Sequence, residues 1–295
     1  MSFLSGFIAI IGPPNIGKST LLNRLLGEKI AITSPKPQTT RNRILGIYNG
    51  EGYQMVFIDT PGIHKTKSLF HKSMVKSAKA SLEEVDIILL MLGFEVDNYK
   101  NEIGSIIRLL KKTNKPTILV INKIDLIKKE DLLPIIDLYD KLHCFDSIML
   151  ISALYGDGLE TLTKELKKRL RPGPQFYPSD MITDKSRGFL MAEIIREKIY
   201  YKAREELPYC SAVIIEGLEE DPGKNLLIIS AVVYVEKESQ KKIIIGKKGE
   251  MIKEIGKNAR IEMERMFSKK VYLEIFVKVE KNWTRDAKLL QRLGY

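Results

Sequence analysis

Through the first 170 residues, short apolar runs alternate with longer stretches in which apolar side chains recur every three or four positions. Apolar runs bounded by turn residues read as buried strands, and the helical period reads as helices laid over them. This predicts strands at Phe7–Ile11, Arg43–Tyr48, Tyr53–Ile58, Val85–Met91, Thr117–Ile121 and Ser147–Ile151. Helices are expected at Ser19–Leu26, Ser73–Ser81, Asn101–Lys112, Leu132–Leu142 and Leu159–Leu170. Asn49-Gly50-Glu51-Gly52 separates the second and third strands with residues that accept positive φ, so these two should form a hairpin. Alternation of strand and helix marks an α/β fold with a mostly parallel sheet.

The pattern changes at Arg171-Pro172-Gly173-Pro174-Gln175-Phe176-Tyr177-Pro178. Three prolines in seven positions cannot continue a helix and would stiffen an extended linker. The chain is therefore expected to divide into a domain at 1–170, a proline-rich linker at 171–185 and a second domain at 186–295. In the latter, Arg187–Glu206 reads as a long helix and Cys210–Glu216 and Leu226–Val235 as strands. A short helix at Ser239–Ile245 precedes a longer one at Glu250–Phe267, whose Ile252, Ile255, Ala259, Met263 and Met266 share one face. Val271–Val279 is expected as a strand and Trp283–Leu293 as a last short helix. This order is α+β.

Composition narrows the classes. With 44% hydrophobic residues in 295, the chain can bury two cores, which excludes wholesale disorder. No apolar stretch reaches the ~18 residues of a membrane span. The start, Met1–Gly6, lacks a basic region and a cleavage site, so a cytoplasmic protein is expected. Cys144 and Cys210, with only three histidines, make neither a disulfide frame nor a zinc site. The net charge is +11, and positions 241–260 hold seven basic against two acidic side chains. Such a cluster seeks anions, nucleic acid first among them.

Gly12-Pro13-Pro14-Asn15-Ile16-Gly17-Lys18-Ser19 fits G-x-x-x-x-G-K-[ST] between a strand and a helix. The backbone N–H groups of Gly12, Asn15, Ile16, Gly17, Lys18, Ser19 and Thr20 are expected around phosphate oxygens at the positive end of a helix. Lys18 would neutralise the β- and γ-phosphates, and the Ser19 hydroxyl would ligate Mg²⁺. Asn122-Lys123-Ile124-Asp125, after the strand Thr117–Ile121, selects the base. A carboxylate at Asp125 can accept from guanine N1–H and the 2-amino group, two donors that adenine lacks. Asn122 would tie this loop to the phosphate loop, the Lys123 stem would cover the base, and Ser152-Ala153-Leu154 would offer a backbone N–H to the guanine carbonyl. In Asp59-Thr60-Pro61-Gly62, Asp59 can hold Mg²⁺ through water and the Gly62 N–H can meet the γ-phosphate. Thr40, or alternatively Thr39, completes the Mg²⁺ shell. The expected ligand is GTP or GDP with Mg²⁺, and the expected catalytic set is Lys18, Thr40 and Gly62.

These motifs resemble the translation-factor-related GTPases, and P-N-I-G-K-S, P-x-Q-T-T-R, D-T-P-G-I-H, N-K-I-D and S-A-L resemble the bacterial Era-type GTPases. That resemblance implies a P-loop GTPase domain followed by a type II KH domain. It also implies K⁺ at Asn15, which could instead only shape the loop. Ile63 stands where Ras-type enzymes carry a water-orienting glutamine, so intrinsic hydrolysis should be slow.

Gly246-Lys247-Lys248-Gly249 falls between two helices in the order helix–strand–strand–helix–GKKG–helix–strand, the order of a type II KH domain. In KH modules this loop clamps about four single-stranded nucleotides. The expected RNA contacts are Gly246, Lys247, Lys248, Gly249 and Lys253. The resemblance implies a monomer that binds the 3′ end of 16S ribosomal RNA on the small ribosomal subunit and acts in its assembly. The alternative is a regulatory GTPase whose basic module meets a protein or makes peripheral contact with anionic lipid at the inner membrane.

Overall fold

The computed structural model describes residues 2–34, 36, 40–59, 83–94, 100–141, 145–203, 207–208 and 210–292. The expected helix at Ser73–Ser81 lies outside them, as do Thr39, Gly62, Ile63 and Cys144. The chain forms two compact units, Met1–Asp184 and Lys185–Tyr295.

In the first unit the strands are β1 (Leu4–Ile11), β2 (Ile44–Gly50), β3 (Tyr53–Asp59), β4 (Ile87–Leu92), β5 (Thr117–Ile121) and β6 (Ser147–Leu150). They lie in the order β2-β3-β1-β4-β5-β6. Only β2 runs antiparallel to its neighbour within this row, as the hairpin requires. Every residue of β3, β4 and β5 is buried, which is why these strands read as unbroken apolar runs rather than alternating ones. Helices α1 (Lys18–Leu26), α2 (Lys100–Leu110), α3 (Leu132–Asp140) and α4 (Leu159–Lys167) separate the strands. The chain leaves β1 for one side of the sheet and reaches β4 on the other. Ligands of open α/β sheets bind at that reversal, beyond the carboxyl ends of the strands.

The proline-rich stretch does not stand free of this unit. Arg171–Pro172 forms β7, antiparallel to β1, and the Gly173 N–H donates to the Phe3 carbonyl oxygen. Fully buried Gln54, the second residue of β3, accepts from the backbone N–H groups of Phe176 and Tyr177 at 2.9 and 3.0 Å. Its amide donates back to the Tyr177 carbonyl at 2.8 Å. Phe176 also packs on Phe7, with ring centroids 4.8 Å apart. The prolines exclude helix, as expected, but the extended chain that results is held along the sheet.

The second unit runs α5 (Arg187–Lys202), β8 (Ala212–Asp221), β9 (Leu226–Val235), α6 (Glu238–Ile245), α7 (Glu250–Phe267), β10 (Lys270–Val279) and α8 (Ala287–Arg292). Its sheet has the order β10-β9-β8, with β9 parallel to β10 and antiparallel to β8. Ser186 caps α5 by accepting from the Phe189 N–H. Ile195 and Ile199 of α5 and Ile255, Ala259 and Met263 of α7 pack on Ile229, Ala231 and Val233 of β9. Trp283 is fully buried with Ala212, Val232 and Tyr234. Among the described residues, no helix is long and apolar enough to cross a membrane.

Candidate functional site

The turn from β1 into α1 builds the phosphate loop. Gly17 caps α1 with φ of 99°, a left-handed conformation, and a Cβ there would stand 2.4 Å from the side-chain amide of Asn122. Glycine is needed on both grounds. Lys18, the first helical residue, is buried and turns back over the loop, where its Nζ donates to the carbonyl oxygens of Pro13 at 2.8 Å and Gly12 at 3.2 Å. Burial pushes its ammonium down to about 8, against the pull of Asp59 in the other direction. A triphosphate would relieve that cost by replacing carbonyl dipoles with full negative charge. Ser19 and Thr20 follow on the first turn, and Asn15 stands exposed with φ of 61°.

Three oxygens meet beside Lys18. Ser19 Oγ donates to Asp59 Oδ2 at 2.7 Å, Thr40 Oγ1 donates to the same oxygen at 3.3 Å, and the two hydroxyls lie 2.8 Å apart. Asp59 is fully buried at the end of β3, and burial raises its carboxyl above the usual range despite Lys18. Its Oδ1 has no hydrogen-bond partner among the described residues. A buried carboxylate oxygen left unpaired beside two hydroxyls suits a hard divalent cation, and Mg²⁺ takes oxygen ligands of this kind. Ser19, Thr40 and Asp59 would hold it, directly or through water.

The base loop is fastened to the phosphate loop. Asn122 is buried after β5, donates from Nδ2 to the Ile16 carbonyl at 2.7 Å and accepts at Oδ1 from the Ala153 N–H at 2.9 Å. Of the three backbone N–H groups in Ser152-Ala153-Leu154, that of Ala153 is thus engaged inside the protein, where it joins the loop after β6 to the loop after β5. Lys123 turns the chain with φ of 67°, and Asp125 stands exposed, its Oδ1 accepting from Ser152 Oγ at 2.6 Å. That bond aims the carboxylate from the neighbouring loop, while Leu154 is exposed beside it. Residues from five separate segments converge at the carboxyl ends of the strands, as the topology demands. Gly62 and Thr39 lie outside the described residues.

In the second unit, Gly246 ends α6 with φ of 74°, Lys248 adopts φ of 50°, and Gly249 caps α7 with φ of 79°. Lys247 and Lys248 are exposed at this turn. A groove of about 520 Å³ lies between α7 and β10. Lys253, Lys257 and Arg260 line its helical side, and Tyr272, Leu273 and Ile275 its strand side. The sequence reading named Lys253 but missed Lys257 and Arg260, although steps of four and three place all three on one helical face. It also missed Tyr272, half exposed on an edge strand. Among the described residues no His/Cys/Asp/Glu group has the make-up of a further metal site.

A strand–phosphate loop–helix turn with a base loop at the end of β5, joined to a module built as α-β-β-α-α-β, defines a P-loop GTPase carrying a KH domain. A family model described as a 50S ribosome-binding GTPase matches residues 7–123, and a KH domain model matches residues 206–284. The GTPase Era of Syntrophus aciditrophicus is 51% identical over 99% of this chain and 95% of its own. That of Geotalea uraniireducens is 50% identical over 99% and 98%. The chain belongs to the Era family of GTPases and hydrolyses GTP. Two solved structures are each 44% identical with a TM-score of 0.94. One is Era with MgGDPNP and nucleotides 1506–1542 of 16S ribosomal RNA, covering 99% of both chains. The other is an Aquifex aeolicus Era variant bound to GDP and aluminium fluoride, covering 100% of this chain and 99% of that one.

Proposed function

We propose that this chain is a GTP-driven switch that binds the single-stranded 3′ end of 16S ribosomal RNA during assembly of the small ribosomal subunit, acting as a monomer in the cytoplasm. The groove between α7 and β10 carries this reading. Three cations on one wall would follow the sugar–phosphate backbone, and apolar and aromatic side chains on the other would receive unstacked bases. Lys247 and Lys248 extend the cationic wall to the turn between α6 and α7. In the first unit, Asp125 reads guanine, Lys18 draws in the β- and γ-phosphates, and Ser19, Thr40 and Asp59 form the Mg²⁺ pocket. Mg²⁺, when bound, would offset charge developing on the phosphate oxygens. The N–H of Gly62 would add a donor to the γ-phosphate. With Ile63 in place of a water-orienting side chain, intrinsic turnover is slow. K⁺ at Asn15 would supply a further positive charge, and exchanging K⁺ for Na⁺ should then lower the rate.

Cation clusters also meet anionic lipid, but a lipid surface needs no apolar cleft for single bases. The test is filter binding of the 3′-terminal 16S fragment beside sedimentation with vesicles rich in anionic lipid. Salt-sensitive RNA binding that is lost in Lys253→Asp, with no vesicle binding, supports the reading. Vesicle binding without RNA binding would replace it.

A further inference from the structure

We infer that residues 180–184 form a releasable strap on the edge of β2, through which the state of Thr40 sets the length of free chain leading to Lys185. The inference rests on the proposed role of Thr40 at the Mg²⁺ pocket. β2 is the outermost strand of its sheet, and the strap pairs with that open edge. Asp184 Oδ1 accepts from the Leu45 N–H at 3.3 Å, Gly46 forms an antiparallel bridge with Thr183, and the Ile47 N–H donates to the Ile182 carbonyl at 2.8 Å.

The other edge of this short region is the nucleotide pocket. Ile44, the first residue of β2, pairs with Asp59, whose carboxylate accepts from Thr40. Only four residues separate Thr40 from Leu45, the first donor to the strap. Gly46 is pinned from behind, since a Cβ there would stand 2.5 Å from Leu22 and 2.8 Å from Leu26 of α1. The start of β2 is thus clamped between the phosphate-loop helix and the strap.

The two ends of the docked segment are held unequally. At Phe176 and Tyr177 the grip is the buried Gln54 amide, far from the nucleotide. At 182–184 the grip is a few bonds to β2 beside Thr40, with Ile182 and Asp184 exposed. When Mg²⁺ and the γ-phosphate hold Thr40, the start of β2 keeps its register and the strap stays paired. When they leave, the bonds at Leu45 and Ile47 open while the Gln54 anchor remains. Asn49 Nδ2, itself bonded to Gln54, still holds the Ser179 carbonyl at 3.0 Å, so release frees residues 180–184, worth roughly 17 Å of extended chain. A longer tether lowers the effective concentration of anything attached to its end.

Hydrogen exchange on the full chain tests this, with Mg²⁺ and either a non-hydrolysable GTP analogue or GDP at concentrations that a parallel titration shows to be saturating. The amides of Leu45 and Ile47 should exchange at least tenfold more slowly with the analogue, while those of Phe176 and Tyr177 exchange alike in both states. Asp184→Ala should erase the difference at Leu45 without altering nucleotide affinity, and Asp184→Asn, which keeps the acceptor, should restore it. Equal exchange of Leu45 and Ile47 in both states would overturn the strap, as would a state-dependent change at Phe176 and Tyr177 of the same size. A flat nucleotide titration would instead remove the GTPase reading beneath it.

Discussion

Asn122 donates to the Ile16 carbonyl at 2.7 Å across 106 positions of sequence, which fastens the loop proposed to read the base to the loop proposed to hold the phosphates. Both ends of its amide are used, the other by the Ala153 N–H. Asn122→Ala would leave a buried carbonyl and a buried N–H unpaired, at about 1–3 kcal/mol each. We expect GDP and GTP affinity to fall together by at least tenfold, with a lower melting temperature. A titration showing loss of GTP alone would place Asn122 at the γ-phosphate instead.

Lys18 makes the pH dependence of the nucleotide-free protein specific. Its folded pKa is lowered to about 8 from 10.5 by burial, so the unfolded chain binds more protons between those values. The burial cost is therefore present below about pH 8 and is lifted as pH rises towards 10.5, by up to ~1.4 kcal/mol per pH unit. Measured by urea unfolding, wild type should gain stability relative to Lys18→Ala as pH rises from 7.5 to 10. GTP affinity should fall over the same range, because the phosphates need the charged form. A constant gap between the two proteins would contradict the buried, proton-losing lysine. Lys18→Ala should stay folded and lose turnover.

Sequence and structure agree most closely where chemistry is compact in sequence. Gly12 to Ser19 and Asn122 to Asp125 are contiguous, and an isolated strand such as Thr117–Ile121 has the same ends in both. Contacts set by distant residues were not legible. Prolines at 172, 174 and 178 describe a chain that cannot be helical, but not that Gln54, some 120 positions earlier, holds it. A glutamine amid Tyr53-Gln54-Met55-Val56-Phe57 was the one signal, a polar residue in a strand buried on every side. Arg196 gives no such signal: a charged residue of α5, it is nevertheless buried, with two bonds of 2.6 Å to Glu193 that offset its charge locally.

The turn between α6 and α7 separates the two activities. Replacing Lys247 and Lys248 by Asp reverses two exposed charges without touching either core. RNA affinity should drop by at least tenfold at low salt, and the slope of log affinity against log salt should flatten by roughly one to two. GTP affinity and hydrolysis without RNA should be unchanged. Equal RNA binding in filter assays would move the RNA site away from this turn.

Asp125 is held by Ser152 Oγ at 2.6 Å and, on the proposed reading, carries the choice of base. Asp125→Asn exchanges an acceptor for a donor, which suits the extra carbonyl of xanthine and not the N–H groups of guanine. In competition titrations the variant should prefer xanthosine triphosphate to GTP, reversing the wild-type order. Unchanged GTP preference would remove Asp125 from the base site.

The central claim is that one chain couples a GTP site to an RNA site, and coupling of this kind is reciprocal. If GTP raises RNA affinity, RNA must raise GTP affinity by the same factor, typically 5- to 150-fold at about 1–3 kcal/mol. The most direct measurement is the affinity for the 3′-terminal 16S fragment with a non-hydrolysable GTP analogue, with GDP and without nucleotide, at one fixed salt concentration. The account predicts the tightest binding with the analogue, by at least fivefold over both other states. Equal affinity in all three states would mean two independent modules on one chain and would contradict the switch.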